Sequence, residues 1–150
     1  MQDFRKLKMW EKAHQLTLAV YRVTGKFPKD EVYGLTSQIR RAAASIPTNM
    51  AEGCGRDTEP EFNRFMQMAM GSASETEYQL LLAKDLDYLG NEDYIRMNGQ
   101  INEIKRMLST LIVRIKNHDG NPTYRIAEKS TLNIDDLNEM MSSSLLTTDD

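Results

Sequence analysis

One cysteine, Cys54, stands in a chain of 150 residues. No disulfide can therefore form within it. A lone thiol fits a reducing compartment, so the expected location is cytoplasmic. Four prolines and eight glycines are few for this length, which argues against many short strands and favours long helices. Aromatic residues make up 7%, and ten methionines are available to fill irregular gaps between helices instead. No apolar run approaches the length of a membrane span. The charged segment Met1 to Trp10 has no signal-peptide core, and no membrane partner is expected. What remains is an ordinary soluble composition, 40% apolar and 27% charged, in a chain long enough for one domain with a real core.

The net charge of −3 is unevenly spread. Residues 119–150 hold seven acids and two bases, so −5; residues 1–118 hold 17 bases and 15 acids, so +2. The first helical stretch is basic, with Arg5, Lys6, Lys8, Lys12, Arg22 and Lys26. A basic first helix and an acidic tail are separate electrostatic objects.

Apolar or small residues at Leu7, Trp10, Ala13, Thr17, Val20, Tyr21 and Thr24 follow a three-four repeat, predicting a helix from Phe4 to about Thr24. Gly25 and Phe27-Pro28 close it. A second helix is expected to start near Lys29-Asp30-Glu31, where acids suit a helix N-terminus. It buries Val32, Leu35, Ile39, Ala42, Ala43, Ile46 and Met50 and ends at Gly53-Cys54-Gly55. A third, capped by Asp57 or Thr58 with Pro60 in its first turn, runs to Leu89 before Gly90-Asn91. A fourth spans about Glu92 to Lys116, with Ile95, Ile101, Ile104, Leu108, Leu111, Ile112 and Ile115 inward, and stops at Asn117 to Pro122. Four long helices with short connections predict an all-α, antiparallel up-down-up-down four-helix bundle over residues 1–118. Residues 119–150 read as an acidic, largely disordered tail with a short amphipathic helix near 134–141.

The stretch from Gln38 to Arg56 carries the most information. It reads as helix, yet Pro47 lies inside it. Proline removes the hydrogen bond to the carbonyl of Ala43 and crowds it, at a cost of roughly 3 kcal/mol. Ser45, Asn49, Glu52 and Arg56 fall on one helical face. With Arg41 and Glu75 they read as a structural polar network rather than a ligand site, because satisfied buried networks fix register. Small residues at Ala42 to Ser45 and Ala69 to Ser74 predict that the second and third helices approach closely.

No catalytic constellation emerges. Glu11-x-x-His14 matches half of a di-iron bundle site, but Ile115 occupies the position before His118 where the second half needs a glutamate, so no metal is expected. His14 reads as a boundary residue. Cys54 lies between two glycines at a helix end, where a thiolate is favoured, but a small residue tolerated in a tight turn is the preferred reading. Gly53-x-Gly55 follows a helix, not a strand, and is no phosphate loop. The chain is read as a non-enzyme without cofactors.

At Trp10-Glu11-Lys12-Ala13, Phe27-Pro28, Glu31 to Gln38, Arg40 to Gly53, Gly55-Arg56, Glu61-Phe62-x-x-Phe65, Ala69-x-Gly71-Ser72 and Glu75 the chain resembles a bacterial family. These are the four-helix-bundle proteins encoded by intervening sequences in the 23S ribosomal RNA gene. The resemblance covers about residues 4–117. It implies a homopentamer of antiparallel bundles around a central channel and implies no enzyme. A related branch, the accessory variability proteins of diversity-generating retroelements, binds a reverse transcriptase and nucleic acid through basic surfaces.

The leading functional reading is a non-catalytic, ring-forming scaffold that binds nucleic acid, RNA or DNA and above all structured RNA, through Arg5, Lys6, Lys8, Lys12, Arg22 and Lys26. The alternative is an adaptor whose tail recruits or regulates a partner enzyme such as a reverse transcriptase, docking through Ile134, Leu137, Met140, Met141, Leu145 and Leu146. In a third arrangement the acidic tail folds over its own basic helix and opposes RNA binding.

Overall fold

Five α-helices and no strand make up the described part of the chain, residues 2–120 and 133–142 of a computed structural model. They are α1 (Lys8–Thr24), α2 (Leu35–Cys54), α3 (Glu59–Asp85), α4 (Asn91–Gly120) and α5 (Ile134–Ser142). The first four pack into a helical bundle around Met9, Leu16, Ile39, Ile46, Met50, Met66, Leu80, Met97, Ile101, Ile104 and Leu108, all completely buried. No helix among the described residues is long and apolar enough to cross a membrane.

Several boundaries differ from the sequence reading, each for a local reason. The first helix begins at Lys8, because Asp3 caps a separate 3-10 turn, Phe4–Lys6, by accepting from the Arg5 N–H. The second begins at Leu35, not near Lys29. Glu31 nevertheless serves its start, since its carboxylate accepts the Leu35 N–H at 2.8 Å. Gly34 makes that reach possible: a Cβ there would lie 2.6 Å from the same carboxylate oxygen. Val32, expected in the core, sits in the turn ahead of α2 and is exposed.

Thr58, not Asp57, caps α3, accepting the Glu61 N–H. That helix stops at Asp85 rather than Leu89. Asp87 adopts φ 61°, Tyr88 N–H bonds the Ala83 carbonyl and Asp87 N–H bonds that of Lys84. This is a Schellman closure with aspartate in the left-handed position that glycine usually fills. At the other end of the bundle α4 continues past the expected stop at Lys116 to Gly120. Ile95, expected inward, lies in the first turn of α4 and is 62% exposed.

Helix α2 runs unbroken through the buried Pro47. The Ala43 carbonyl that loses a donor there is reached from α1: the Thr17 hydroxyl lies 3.1 Å from it and 2.9 Å from the Ala13 carbonyl. On its other side α2 makes the most extensive helix–helix contact of the bundle, with α3. The approach is close at Gly53, where a Cβ would meet Met66 Cε at 2.7 Å and Phe65 Cβ at 3.1 Å. Gly53→Ala should therefore destabilise the protein by about 1–3 kcal/mol through overpacking, despite alanine's better helix propensity. Chemical denaturation of the variant checks this; an unchanged or raised midpoint would contradict the close approach.

Candidate nucleic-acid interface

The basic residues of α1 and its lead-in are all exposed. Lys8, Lys12 and Arg22 share the outward stripe of α1 with Glu11 and Gln15. Lys8 and Arg22 are 14 residues apart, about 21 Å along the axis at 1.5 Å per residue. Arg5, Lys6, Lys8 and Lys12 thus gather at one end, and Arg22 and Lys26 at the other. Two cations of the first group have acid partners: Arg5 with Asp3 at 3.8 Å and Lys12 with Glu103 at 2.9 Å. Exposed pairs of this kind contribute little to stability, so they do not lock these cations away from a polyanion.

Beside this end lies a cleft of ≈ 580 Å³ between α1, α4 and α5, lined by Lys8, Lys12, Arg106, Ser109, Thr110 and Asn138 among others. Arg106 is an exposed cation of α4 that the sequence reading did not include. Only the fold brings it beside Lys8 and Lys12, about a hundred residues away in sequence.

The C-terminal segment forms one wall of that cleft. Asn133 and Asp136 cap α5 reciprocally, each accepting the other's backbone N–H, at 2.9 and 3.2 Å. Ile134, Leu137 and Met141 are buried and belong to the same apolar cluster as the bundle core, with Met140 partly buried against it. Arg114 donates to the Met140 carbonyl. Asn138 accepts the Lys8 N–H at 3.1 Å and donates to the Lys6 carbonyl at 3.2 Å. The expected docking residues Ile134, Leu137 and Met141 are thus corrected: they are spent on this chain's own α1–α4 bundle, since a 3.6-residue apolar stripe buries itself on the nearest matching surface. α5, which carries Asp135, Asp136 and Glu139, therefore lies against the basic end of α1. Leu145, Leu146 and the expected flexible tail lie outside the described residues.

The predicted polar network is smaller than its sequence spacing suggested. Asn49, 8% exposed, donates through Nδ2 to the Ser45 carbonyl at 2.8 Å and the Ser45 hydroxyl at 3.0 Å. Ser72 of α3 donates to the same hydroxyl at 2.9 Å. Glu52, expected to be at least partly buried, is exposed. The helix carries it off the α2–α3 seam once the ladder passes Asn49. Arg56 is exposed, with its guanidinium over the Phe65 ring. Glu75 is exposed and accepts from Gln79. Arg41 is exposed and points into a different groove, near the start of α2.

His14 stacks on Trp10, with ring centroids 5.0 Å apart. His118 Nδ1 lies 3.1 Å from Glu59 Oε2, tying the last turns of α4 to the first of α3. Cys54 is buried, and desolvation, with a smaller contribution from Asp3, pushes its thiol up to about 11. The thiolate suggested by its helix-end position is therefore not favoured. Leu137 of α5 helps to enclose the small cavity that Cys54 lines.

Three comparisons bear on this arrangement. A family model described as 23S rRNA-intervening sequence protein matches residues 5–110. That span takes in α1 to α3 and the first two-thirds of α4; α5 lies outside it. A crystal structure of a protein of unknown function from the S23 ribosomal protein family of Bacteroides thetaiotaomicron is similar in fold. Its TM-score is 0.65 at 24% identity, over 69% of this chain and 97% of that one. No curated protein matches the chain.

The state of Cys54 gives a direct check on the docking of α5. Iodoacetamide should label native Cys54 far more slowly than the unfolded chain at neutral pH, and Leu137→Ala, which loosens α5, should speed labelling by about tenfold or more. Labelling of the native protein at the unfolded rate would contradict the docked arrangement.

Proposed function

Because the chain belongs to the family of 23S rRNA-intervening sequence proteins, we propose that it is a non-catalytic oligomeric scaffold that binds structured RNA through the basic face of α1. The observation that carries the reading is the clustering of Arg5, Lys6, Lys8 and Lys12 at one exposed end of α1, with Arg106 added from α4. Phosphate contacts made by exposed lysine and arginine supply most sequence-independent affinity for nucleic acid. The cleft's hydroxyl and amide groups, Ser109, Thr110 and Asn138, suit the 2′-hydroxyls and phosphates of an RNA helix.

An overall pI of 5.5 argues against strong binding by one chain. Assembly answers this. In the proposed form, antiparallel up-down-up-down bundles associate as a ring-shaped homopentamer, which multiplies one modest patch by avidity. Met68, Tyr78 and Leu81, together with Gly71, leave the outward side of α3 partly apolar and exposed, as a subunit contact requires. The buried reduced thiol of Cys54 fits action in the cytoplasm.

Titration of a structured RNA, with light scattering of the same samples, tests the reading. Affinity should fall by orders of magnitude between about 50 and 200 mM salt. The double reversal K8E/K12E should weaken binding further at the lower salt. The scattering mass should be a multiple of 17.2 kDa, with five copies expected. Absence of RNA binding at low salt, or identical behaviour of the charge-reversed protein, would overturn the nucleic-acid role. A monomer would remove the ring.

A further inference from the structure

A second concave surface lies where α1 ends and α2 begins, remote in sequence from the cluster around Lys8. It is a groove of ≈ 620 Å³ whose lining includes Tyr21, Lys29, Thr36, Ser37, Arg40 and Arg41. Three of these are cations, and none of its lining residues is acidic. Thr36 and Arg40 are four residues apart on α2, as are Ser37 and Arg41. Each hydroxyl therefore sits one turn below a guanidinium on the same side of the helix.

Two features mark this as more than a solvated basic surface. The first is Arg40. Its Nε–H donates to the Thr24 hydroxyl at 2.8 Å, its Nη2 lies 3.4 Å from the Tyr21 carbonyl, and its guanidinium covers the Tyr21 ring. Thr24 can accept because its own proton goes to the Val20 carbonyl at 2.7 Å. Arginine carries five N–H donors in a rigid fork. Arg40 is thus held in place while neither Nη1 donor has a hydrogen-bond partner among the described residues.

The second feature is Thr36. Thr17, Thr24, Thr48 and Thr76 each bond the carbonyl four residues back. Thr36 is 6% exposed, yet its hydroxyl has no hydrogen-bond partner among the described residues. An unmet buried hydroxyl is unfavourable unless something outside the chain meets it. The axial position at the start of α2 is already filled by the Glu31 carboxylate, so a ligand belongs on the side wall, between Thr36 and the arginines.

We infer that this groove is a phosphate-binding site in which Arg40, Arg41 and Lys29 hold the oxyanion and the Thr36 hydroxyl, buried in the empty groove, turns outward about its Cα–Cβ bond to donate to one of its oxygens. Bidentate guanidinium–phosphate contact is the recognition for which arginine is suited. The phosphate can belong to an RNA backbone or to a free ion or nucleotide. As a seat for an RNA phosphate the site rests on the proposed function; as a seat for a free phosphate it stands without it.

The test uses the full chain in chloride buffer at constant ionic strength, titrated separately with inorganic phosphate, AMP and a short single-stranded RNA. Amide shifts of residues 36–41 report binding. Saturable shifts with phosphate are expected. Thr36→Val and Arg41→Gln should each weaken them about tenfold, while Lys116→Gln, on the exposed face of α4, should leave them unchanged. Thr36→Val only removes an unpartnered hydroxyl, so it should fold at least as well as the parent, which separates loss of binding from loss of structure. Binding of phosphate and AMP without RNA binding would uphold the site and remove the nucleic-acid role. RNA binding that both variants retain, with no phosphate-dependent shift, would overturn the site and leave that role standing. Equal phosphate affinity in all variants, or no binding of any probe, would also overturn it.

Discussion

The carbonyl of Ala43 is the point on which the arrangement of the bundle turns. It lies in the middle of α2, on a fully buried residue, and the residue four positions on is Pro47, which has no N–H to offer. An unmet carbonyl there costs about 1–3 kcal/mol. Its partner comes from another helix: the Thr17 hydroxyl, 3.1 Å away, shares its one proton between this carbonyl and that of Ala13 at 2.9 Å. Only one level of α1 presents that hydroxyl, so the contact fixes both the height and the rotation of α1 on α2. Thr17 sits on the buried side of the stripe that carries Lys8, Lys12 and Arg22. Fixing its direction therefore fixes which way the basic face looks.

The same helix is held differently on its other side. Toward α3 it offers Ser45, Asn49 and Gly53 at spacings of four. The first two join Ser72 in a small hydrogen-bonded cluster, and the third lets Phe65 and Met66 come close. Polar pairs at these levels oppose slippage that a purely apolar seam would tolerate. The run from Gln38 to Gly53 is thus unusual in sequence because α2 must satisfy two unlike neighbours. Its last demands fall at its start, where Arg40 ties to Thr24 and Tyr21 of α1.

Much of this was legible in the residue pattern. The three-four repeats place the four long helices and most of their buried residues, because burial of an apolar stripe dominates local structure. Pro47 marked the special helix, and the small residues marked the close α2–α3 approach. What was not legible depended on contacts across the fold. Thr17 looked like any small core residue until Ala43 stood opposite. Glu52 and Arg41 matched the spacing of Ser45 and Asn49 but diverge from the seam as the helices cross. The ends of α2 and α3 were set by Glu31 reaching forward and by Asp87 adopting a left-handed conformation, which periodicity does not encode. The short C-terminal helix was visible in sequence, and the charges allowed its return onto the basic helix as one of three arrangements, but the burial of its apolar stripe on the bundle was not legible, since amphipathicity says that a face is covered and not by what. Of the candidate interface, the basic residues of α1 were readable; Arg106 and the Thr36–Arg40 groove were assembled only by folding.

A double-mutant cycle on Thr17 and Pro47 tests the central contact directly. Pro47→Ala restores an N–H to the Ala43 carbonyl, and Thr17→Val removes the hydroxyl at nearly constant shape. The Ala13 carbonyl keeps the Thr17 backbone N–H in either case, so its loss of the hydroxyl matters little. In the parent protein Thr17→Val should cost about 1–2 kcal/mol. In the Pro47→Ala background the cost should shrink to roughly a few tenths, a coupling of about 1 kcal/mol. An equal cost in both backgrounds, measured by chemical denaturation, would mean that Thr17 does not serve the carbonyl that Pro47 leaves open.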